Sequence, residues 1–424
     1  MNDCFLVETR LIASLLKNNI FEAFKIRNIL SMKKIFSLCV LFLFSFYAFA
    51  QETFPVNGIF SKNHTYYALT NAVIHVDAET VLEKGTLLIK DGQIVDVAAE
   101  VKLPAGTVVL DMKGKHIYPS FIELYSTYGM PEVRANGGGP GPQIESNTKG
   151  AYDWNQAIKP ETEAYKVFSA DRKVAEELRN LGFGSVLSSQ KDGIARGTAC
   201  FVTLADNREN EIIVKDRAAA LYSFSKGVST QDYPSSQMGS IALLRQTYLD
   251  ADWHKNNKVK KEFNISLDAW NNLQTLPQLF ETRDKLEALR ADKLGDEFKV
   301  QYIIKGSGDE YQQLDKLKST FAKFIIPLNF PAAFDVEDPY DAELVSYEDL
   351  KHWEFAPANA AFMEKKIIPF ALTTADLKDK KEFWKNLRKA IEYGLSEKTA
   401  FKALTTIPAE MMGVNDKEIG RAHV

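Results

Sequence analysis

The stretch Ile117-Tyr118-Pro119-Ser120-Phe121-Ile122-Glu123-Leu124-Tyr125-Ser126-Thr127 decides the fold. It reads as a short apolar strand with polar residues at alternate positions. A period of two places Glu123, Tyr125 and Thr127 on one side, at a strand end, where chemistry is commonly carried.

Upstream of it, Tyr66 to Leu110 reads as β-structure. Five short apolar runs follow one another: Tyr67–Thr70, Ala72–Val76, Thr86–Lys90, Gln93–Val97 and Thr107–Leu110. The third and fourth are joined by Asp91-Gly92, a pair suited to a type I′ hairpin. His75 alternates with apolar neighbours and is expected to be a packed or edge histidine rather than a ligand.

Downstream lies a Gly/Pro-rich loop, Asn136 to Pro142. Phosphate-binding glycine loops join a strand directly to a helix and carry a Lys or a spaced GxGxxG. This loop has prolines and no helix signal behind it, so a surface insertion is expected. From about Glu161 helices alternate with short strands. Helical patterns cover Ser169–Leu181, Ser235–Trp253, Leu276–Ala291 and the region around Tyr311–Phe321. Buried-type strands are expected at Gly182–Leu187, Lys299–Ile304, Lys323–Leu328 and Ile367–Leu372. Such alternation predicts a parallel sheet covered by helices. After Asp379, Phe383, Leu387 and Ile391 recur at helical spacing, Gly394 is a stop, and Ser396 caps a new helix.

Both ends are set aside from fold reasoning. Met32-Lys33-Lys34, an apolar run to Ala50, and the A-x-A triplet Ala48-Phe49-Ala50 read as a cleaved secretory signal over residues 32–50. The run is shorter than the ~20 apolar residues of a membrane span. Residues 1–31 are therefore expected to be a spurious upstream extension, and the product to be exported, to the periplasm or outside a bacterium, without a stable membrane span. Only Cys200 then remains, which leaves no internal disulfide. Ile419 to Val424 can be encoded by a common sequencing adapter, so residues 414–424 are expected to be a truncated or artefactual tail and His423 to carry no function. Roughly 370 residues are left, enough for one large domain or two ordinary ones. The formal net charge is −4 with both signs interspersed, and no basic block points to nucleic acid.

With these motifs in view, the chain resembles the amidohydrolase superfamily, in its imidazolonepropionase- and prolidase-like branch. Val81 to Ile94 looks like the family's β-sandwich lead-in, and Lys113 to Pro119 leads into the first barrel strand. Gly394-Leu395-Ser396 through Ala403 to Ala409, closed by Gly413, looks like its end. The resemblance implies an α/β fold: a (β/α)₈ TIM-type barrel over residues 117–413 with active-site residues at the strand C-terminal ends. A small β-sandwich over 51–116 precedes it, and the sandwich strands expected after Gly413 are missing.

The family hydrolyses C–N amide bonds with one or two divalent metals, commonly zinc, which activate water and polarise the carbonyl. Its first strand carries Pro-Gly-Phe-Ile-Asp-x-His-x-His; here the histidine positions read Tyr125 and Thr127, and the acid reads Glu123. Histidines expected near Ile304 or Lys305, and near Asn329, are absent. The last-strand Gly-Thr-Asp-Ser looks like Thr373-Thr374-Ala375-Asp376, so the catalytic acid is replaced by Ala375 or displaced to Asp376. None of the six histidines stands in a His-x-His pair. His116 lies at the wrong end of its strand, while His254 and His352 are expected at surface or packing positions.

The degenerate positions Glu123, Tyr125, Thr127 and Ala375 therefore imply a segment that holds no metal, a silent domain of a larger exported hydrolase. As the resemblance implies, its partner would be a downstream active domain of the same chain, acting on a small molecule or peptide. Two alternatives stay open. Glu123, Lys305 and Asp376 could serve an active enzyme, the carboxylate oxygens of Glu123 and Asp376 suiting Mg²⁺ or Ca²⁺ better than Zn²⁺. Or Tyr125, Trp154, Lys305 and the Gly-rich loop could line a mouth that binds a ligand without turning it over.

Overall fold

The computed structural model describes residues 65–134, 141–257 and 262–415. The N-terminal extension, the signal segment, Asn136 to Pro140 of the Gly-rich loop, and the tail from residue 416 lie outside the described residues.

A five-stranded sheet comes first. Strands β1 (Tyr67–His75), β2 (Val81–Lys90), β3 (Gln93–Ala98) and β4 (Val108–Asp111) lie in the order β3-β2-β1-β4, and the short β5 (His116–Ile117) also pairs with β1. The two first apolar runs of the sequence are one strand. Asn71, at φ 60°, sits in a register shift that joins them. Asp91 and Gly92 both take positive φ, 52° and 73°, as a type I′ hairpin requires. Ile74, Leu87 and Ile89 form this sheet's core with Ala72.

The second sheet holds eight strands in sequence order: β6 (Phe121–Ser126), β7 (Phe183–Ser188), β8 (Ala195–Thr203), β9 (Ile213–Ser223), β10 (Gln278–Glu281), β11 (Tyr302–Lys305), β12 (Lys323–Pro327) and β13 (Phe370–Thr373). Ile117 to Thr127 is thus not one strand, since its first residue belongs to β5 and only Phe121–Ser126 form β6. The expectation of an all-parallel sheet fails at β8, which runs antiparallel to both β7 and β9. The reason is chain length: residues 189–194 between β7 and β8 are too few for the crossover that parallel neighbours need. The supposed helix Leu276–Ala291 also divides, into β10 and a helix over Lys285–Phe298 whose N-terminus is capped by Asp284.

Alternate residues of the strands sort cleanly. Leu187, Phe201, Leu221, Leu279, Ile303, Ile325 and Ala371 pack with Ile122 and Leu124 on one face. Their immediate neighbours Val186, Tyr222, Phe280, Ile304, Phe324 and Phe370 pack on the other face against the helices. Met411, Met412 and Val414 join the first of these clusters, delivered by the helix Thr406–Met412 that Gly413 ends at φ 61°. The helix expected at Ser169–Leu181 runs over Arg172–Asn180, because Asp171 caps it. Gly394 (φ 106°) follows Phe383–Glu392, and Ser396 Oγ accepts from Thr399 N at 3.1 Å, both as read. Among the described residues no helix is long and apolar enough to cross a membrane.

Candidate functional site

Three strands end in polar side chains on the face that carries Leu279, Ile303 and Ala371. Two residues beyond each of these come Glu281, Lys305 and Thr373, so period-two alternation aims all three the same way. Glu281 and Lys305 are also direct partners in the β10–β11 register.

Strand β6 contributes differently from its alternation. The register slips between Glu123 and Ser126, and the Glu123 carboxylate accepts the Tyr125 N–H at 2.9 Å. Glu123 is fully buried and reaches across to β13. There it also accepts from Thr373 Oγ1, from Thr374 N at 2.7 Å and from Thr374 Oγ1 at 2.7 Å. Glu123 therefore joins the first strand of the sheet to the last, with every donor a neutral group. Thr127 lies past the strand end and is exposed, so the three residues expected on one side do not share one role.

Tyr125 sits at the centre of a charged cluster. Its hydroxyl accepts from Arg196 Nη1 at 3.0 Å and donates to Glu281. Arg196 is buried, donates Nε to Gly193 O at 3.0 Å and pairs through Nη2 with Glu281 Oε2 at 2.7 Å. Burial pushes the Tyr125 phenol well above its ordinary range, so it stays neutral. Burial would also raise the Glu281 carboxyl, but the Arg196 charge, the Tyr125 hydroxyl and Lys305 hold it below the usual value. Lys305 is 3% exposed and its ammonium is bound to Asp376, whose side chain is 38% exposed. Asp376 takes φ 64°, a conformation that Asp tolerates better than most residues. Above the other side of the cluster, Lys191 Nζ lies 4.0 Å from the Tyr125 ring centroid, and Lys305 Nζ lies 5.5 Å from it.

Of the site residues expected from sequence, Tyr125, Lys305 and Asp376 are brought together. Trp154 is not: half exposed, it stacks on Tyr233 and makes no hydrogen bond, ion pair or ring contact with the other three. Ala375 is buried in the apolar cluster beside β13. Asn329 follows β12 and does not join the charged cluster. Sequence reasoning missed Arg196, Glu281 and Lys191. Arg196 was legible in principle, because an arginine inside the small-residue run Ala195-Arg196-Gly197-Thr198-Ala199 demands a partner if that run is buried. Glu281 was hidden by the shortness of β10.

A divalent metal does not fit this arrangement. A catalytic zinc needs about three converging imidazole, thiolate or carboxylate ligands. Among the described residues no three His, Cys, Asp or Glu side chains could hold an ion together. His75 stacks on His116 and Tyr118, His254 bonds Asp268, and His352 stacks on Tyr311, all away from the cluster. The carboxylates that remain are engaged: Glu123 by neutral donors, Glu281 by Arg196, Asp376 by Lys305. Fixed ammonium and guanidinium groups also oppose a metal. At 4 Å and an effective dielectric near 20, each unit-charge pair contributes about 4 kcal/mol, so a dication beside one ammonium faces roughly 8.

No protein-family model and no curated protein matches the chain. Solved structures do. An amidohydrolase from Thermotoga maritima MSB8 is 18% identical with a TM-score of 0.63, over 84% of this chain and 91% of its own. Another amidohydrolase (14% identical, TM-score 0.46, 85% and 91% covered) and a prolidase complexed with N-methylphosphonate-L-proline (14%, 0.44, 82% and 88%) are more distant. The first likeness, at this identity, establishes a shared fold.

Proposed function

We infer that this chain, which has the fold of the amidohydrolase superfamily, is a catalytically silent amidohydrolase-like domain of an exported C–N bond hydrolase. The observation that carries this reading is the replacement of a metal centre by protein cations. Arg196, Lys305 and Lys191 crowd the Tyr125 ring at strand ends where the fold's hydrolases would hold a metal ion. With Glu281 and Asp376 consumed as counter-ions, the cluster has neither an open ligand set nor a free carboxylate base.

On this reading the eight-stranded sheet is a barrel built on the (β/α)₈ plan with β8 reversed. Two features support closure: one apolar cluster draws on all eight strands, and Glu123 clasps β6 to β13. The five-stranded sheet would be one half of a small β-sandwich. A silent domain of this kind serves as scaffold for an active copy, which we place downstream in the same exported polypeptide, acting on a small-molecule or peptide amide.

Metal analysis of the mature protein, followed by zinc titration, tests the reading. No stoichiometric zinc, manganese or magnesium is expected. One equivalent of tightly bound metal, together with amide hydrolysis that Asp376→Asn abolishes, would overturn it.

A further inference from the structure

Next to Tyr125 is a cavity of about 430 Å³ whose contents are unbalanced. Its walls are apolar, from Met130, Pro131 and Val133. Its polar lining comes from Thr127, Gln190 and Lys191, and among the described residues none of these three side chains has a hydrogen-bond or ion-pair partner. Glu132, at the rim, is exposed and already bound to Arg134 at 2.9 Å. Lys191 contrasts with the other two cations of the cluster. Arg196 and Lys305 each carry a carboxylate, whereas Lys191 is half-buried with only the Tyr125 face against its ammonium. A partly desolvated ammonium without an acceptor is costly, and an acceptor supplied from outside relieves that cost.

We propose that this cavity binds a small organic carboxylate: the anion on Lys191 Nζ, an adjoining amide on Gln190 and Thr127, and an aliphatic group against Met130, Pro131 and Val133. The ammonium supplies charge-assisted hydrogen bonds, and the aromatic face beneath it fixes its height without neutralising it. Gln190 both donates and accepts, as an amide requires. The charged groups near Lys191 are two carboxylates, Glu281 and Asp376, and two cations, Lys305 and Arg196, so the attraction for an anion rests on Lys191 itself.

The proposal goes beyond the reading of a silent domain and is tested apart from it. Calorimetric titration of the intact mature protein, stripped of metal with EDTA and then dialysed into carboxylate-free buffer, compares N-acetylleucine with N-acetylleucinamide, which differ only in the anionic end. The acid is expected to bind roughly tenfold tighter or more, the size of one charge-assisted contact. Lys191→Met, which keeps the aliphatic stem over Tyr125, should lower the acid to the level of the amide, while Gln190→Leu should weaken both alike. A wild-type melting temperature confirms that each variant is folded; if Lys191→Met is not, Lys191→Gln takes its place. Equal affinity for acid and amide, an acid preference that survives loss of the lysine charge, or no binding of the acid at millimolar concentration each overturns the proposal. Stoichiometric zinc uptake accompanied by amide hydrolysis would sink the silent-domain reading and leave the acid-to-amide ratio of the metal-free protein unaffected.

Discussion

Replacing Glu123 perturbs the sheet at the place where its first and last strands meet. The carboxylate is fully buried and accepts from Tyr125 N, Thr374 N, Thr373 Oγ1 and Thr374 Oγ1. The two threonine hydroxyls can rotate to other acceptors when the carboxylate is lost, but the two backbone N–H groups cannot. A buried donor left unsatisfied costs about 1–3 kcal/mol. Two of them, with the cavity left by the side chain, place Glu123→Ala at roughly 4–6 kcal/mol, in the range of exceptional single substitutions. Glu123→Gln keeps the shape and one acceptor oxygen but turns the other into a donor that faces donors, so about 2–4 kcal/mol is expected. The assay is urea unfolding followed by tryptophan fluorescence, with midpoints and slopes fitted together. Because Gln restores the volume but only one of the two acceptor oxygens, it should recover no more than about half of the Ala deficit. If both variants lie within about 1 kcal/mol of wild type, the clasp between β6 and β13 is not a determinant of the fold.

Three further outcomes follow from the same geometry. Gly197 has φ +79°, and a Cβ there would stand 1.9 Å from Thr162 O, an immovable backbone atom. Gly197→Ala should therefore cost more than about 4 kcal/mol and strip the protein from the soluble fraction, whereas Gly114→Ala, with nothing within 4 Å, should cost only the ~1 kcal/mol of its left-handed backbone. Asp376→Asn leaves the buried Lys305 ammonium without its counter-ion and should cost about 1–3 kcal/mol, the range being lowered because Asp376 is partly exposed; adding Lys305→Met should restore most of it. A double variant as unstable as Asp376→Asn alone would show that the pair is not the cause. Burial raises the Asp153 carboxyl to about 7, with its hydrogen bond from Asn155 N and nearby Asp250 and Glu161 as lesser influences. The folded form then holds a proton that the unfolded chain, with an ordinary Asp, has released. The contribution of this group to stability should thus be full below about pH 4 and be lost, by a few kcal/mol, as pH rises to about 7. Melting curves across that range should flatten in Asp153→Asn, and an unchanged slope would count against the assignment.

The candidate site was legible only where chemistry followed from position in the chain. Tyr125, Lys305 and Asp376 were found because each stands near the end of a strand that the apolar pattern reveals, and they meet in space. Arg196, Glu281 and Lys191 were missed because the local pattern around them is weak. β8 is an uninterrupted buried run rich in Ala, Gly and Thr, which has no alternation to read. β10 is four residues long and merges in sequence with the amphipathic helix behind it. Trp154 was placed in the mouth on residue type alone, and the loop that carries it turns it onto Tyr233 instead.

By itself the sequence determined the local signals that any fold must respect: the Asp91-Gly92 hairpin, the Ser396 cap, the Gly394 stop, the strand runs, and the lack of a His-x-His pair. These depend on φ, on capping chemistry and on side-chain type, all set within a few residues. Tertiary structure decided the reversal of β8, the slip in β6 that turns Glu123 toward Thr373 and Thr374, and the pairing of each buried charge. Arg196 and Glu281, or Lys305 and Asp376, are far apart along the chain. Their choice of partner is fixed by which strand ends the folded sheet places within hydrogen-bond reach.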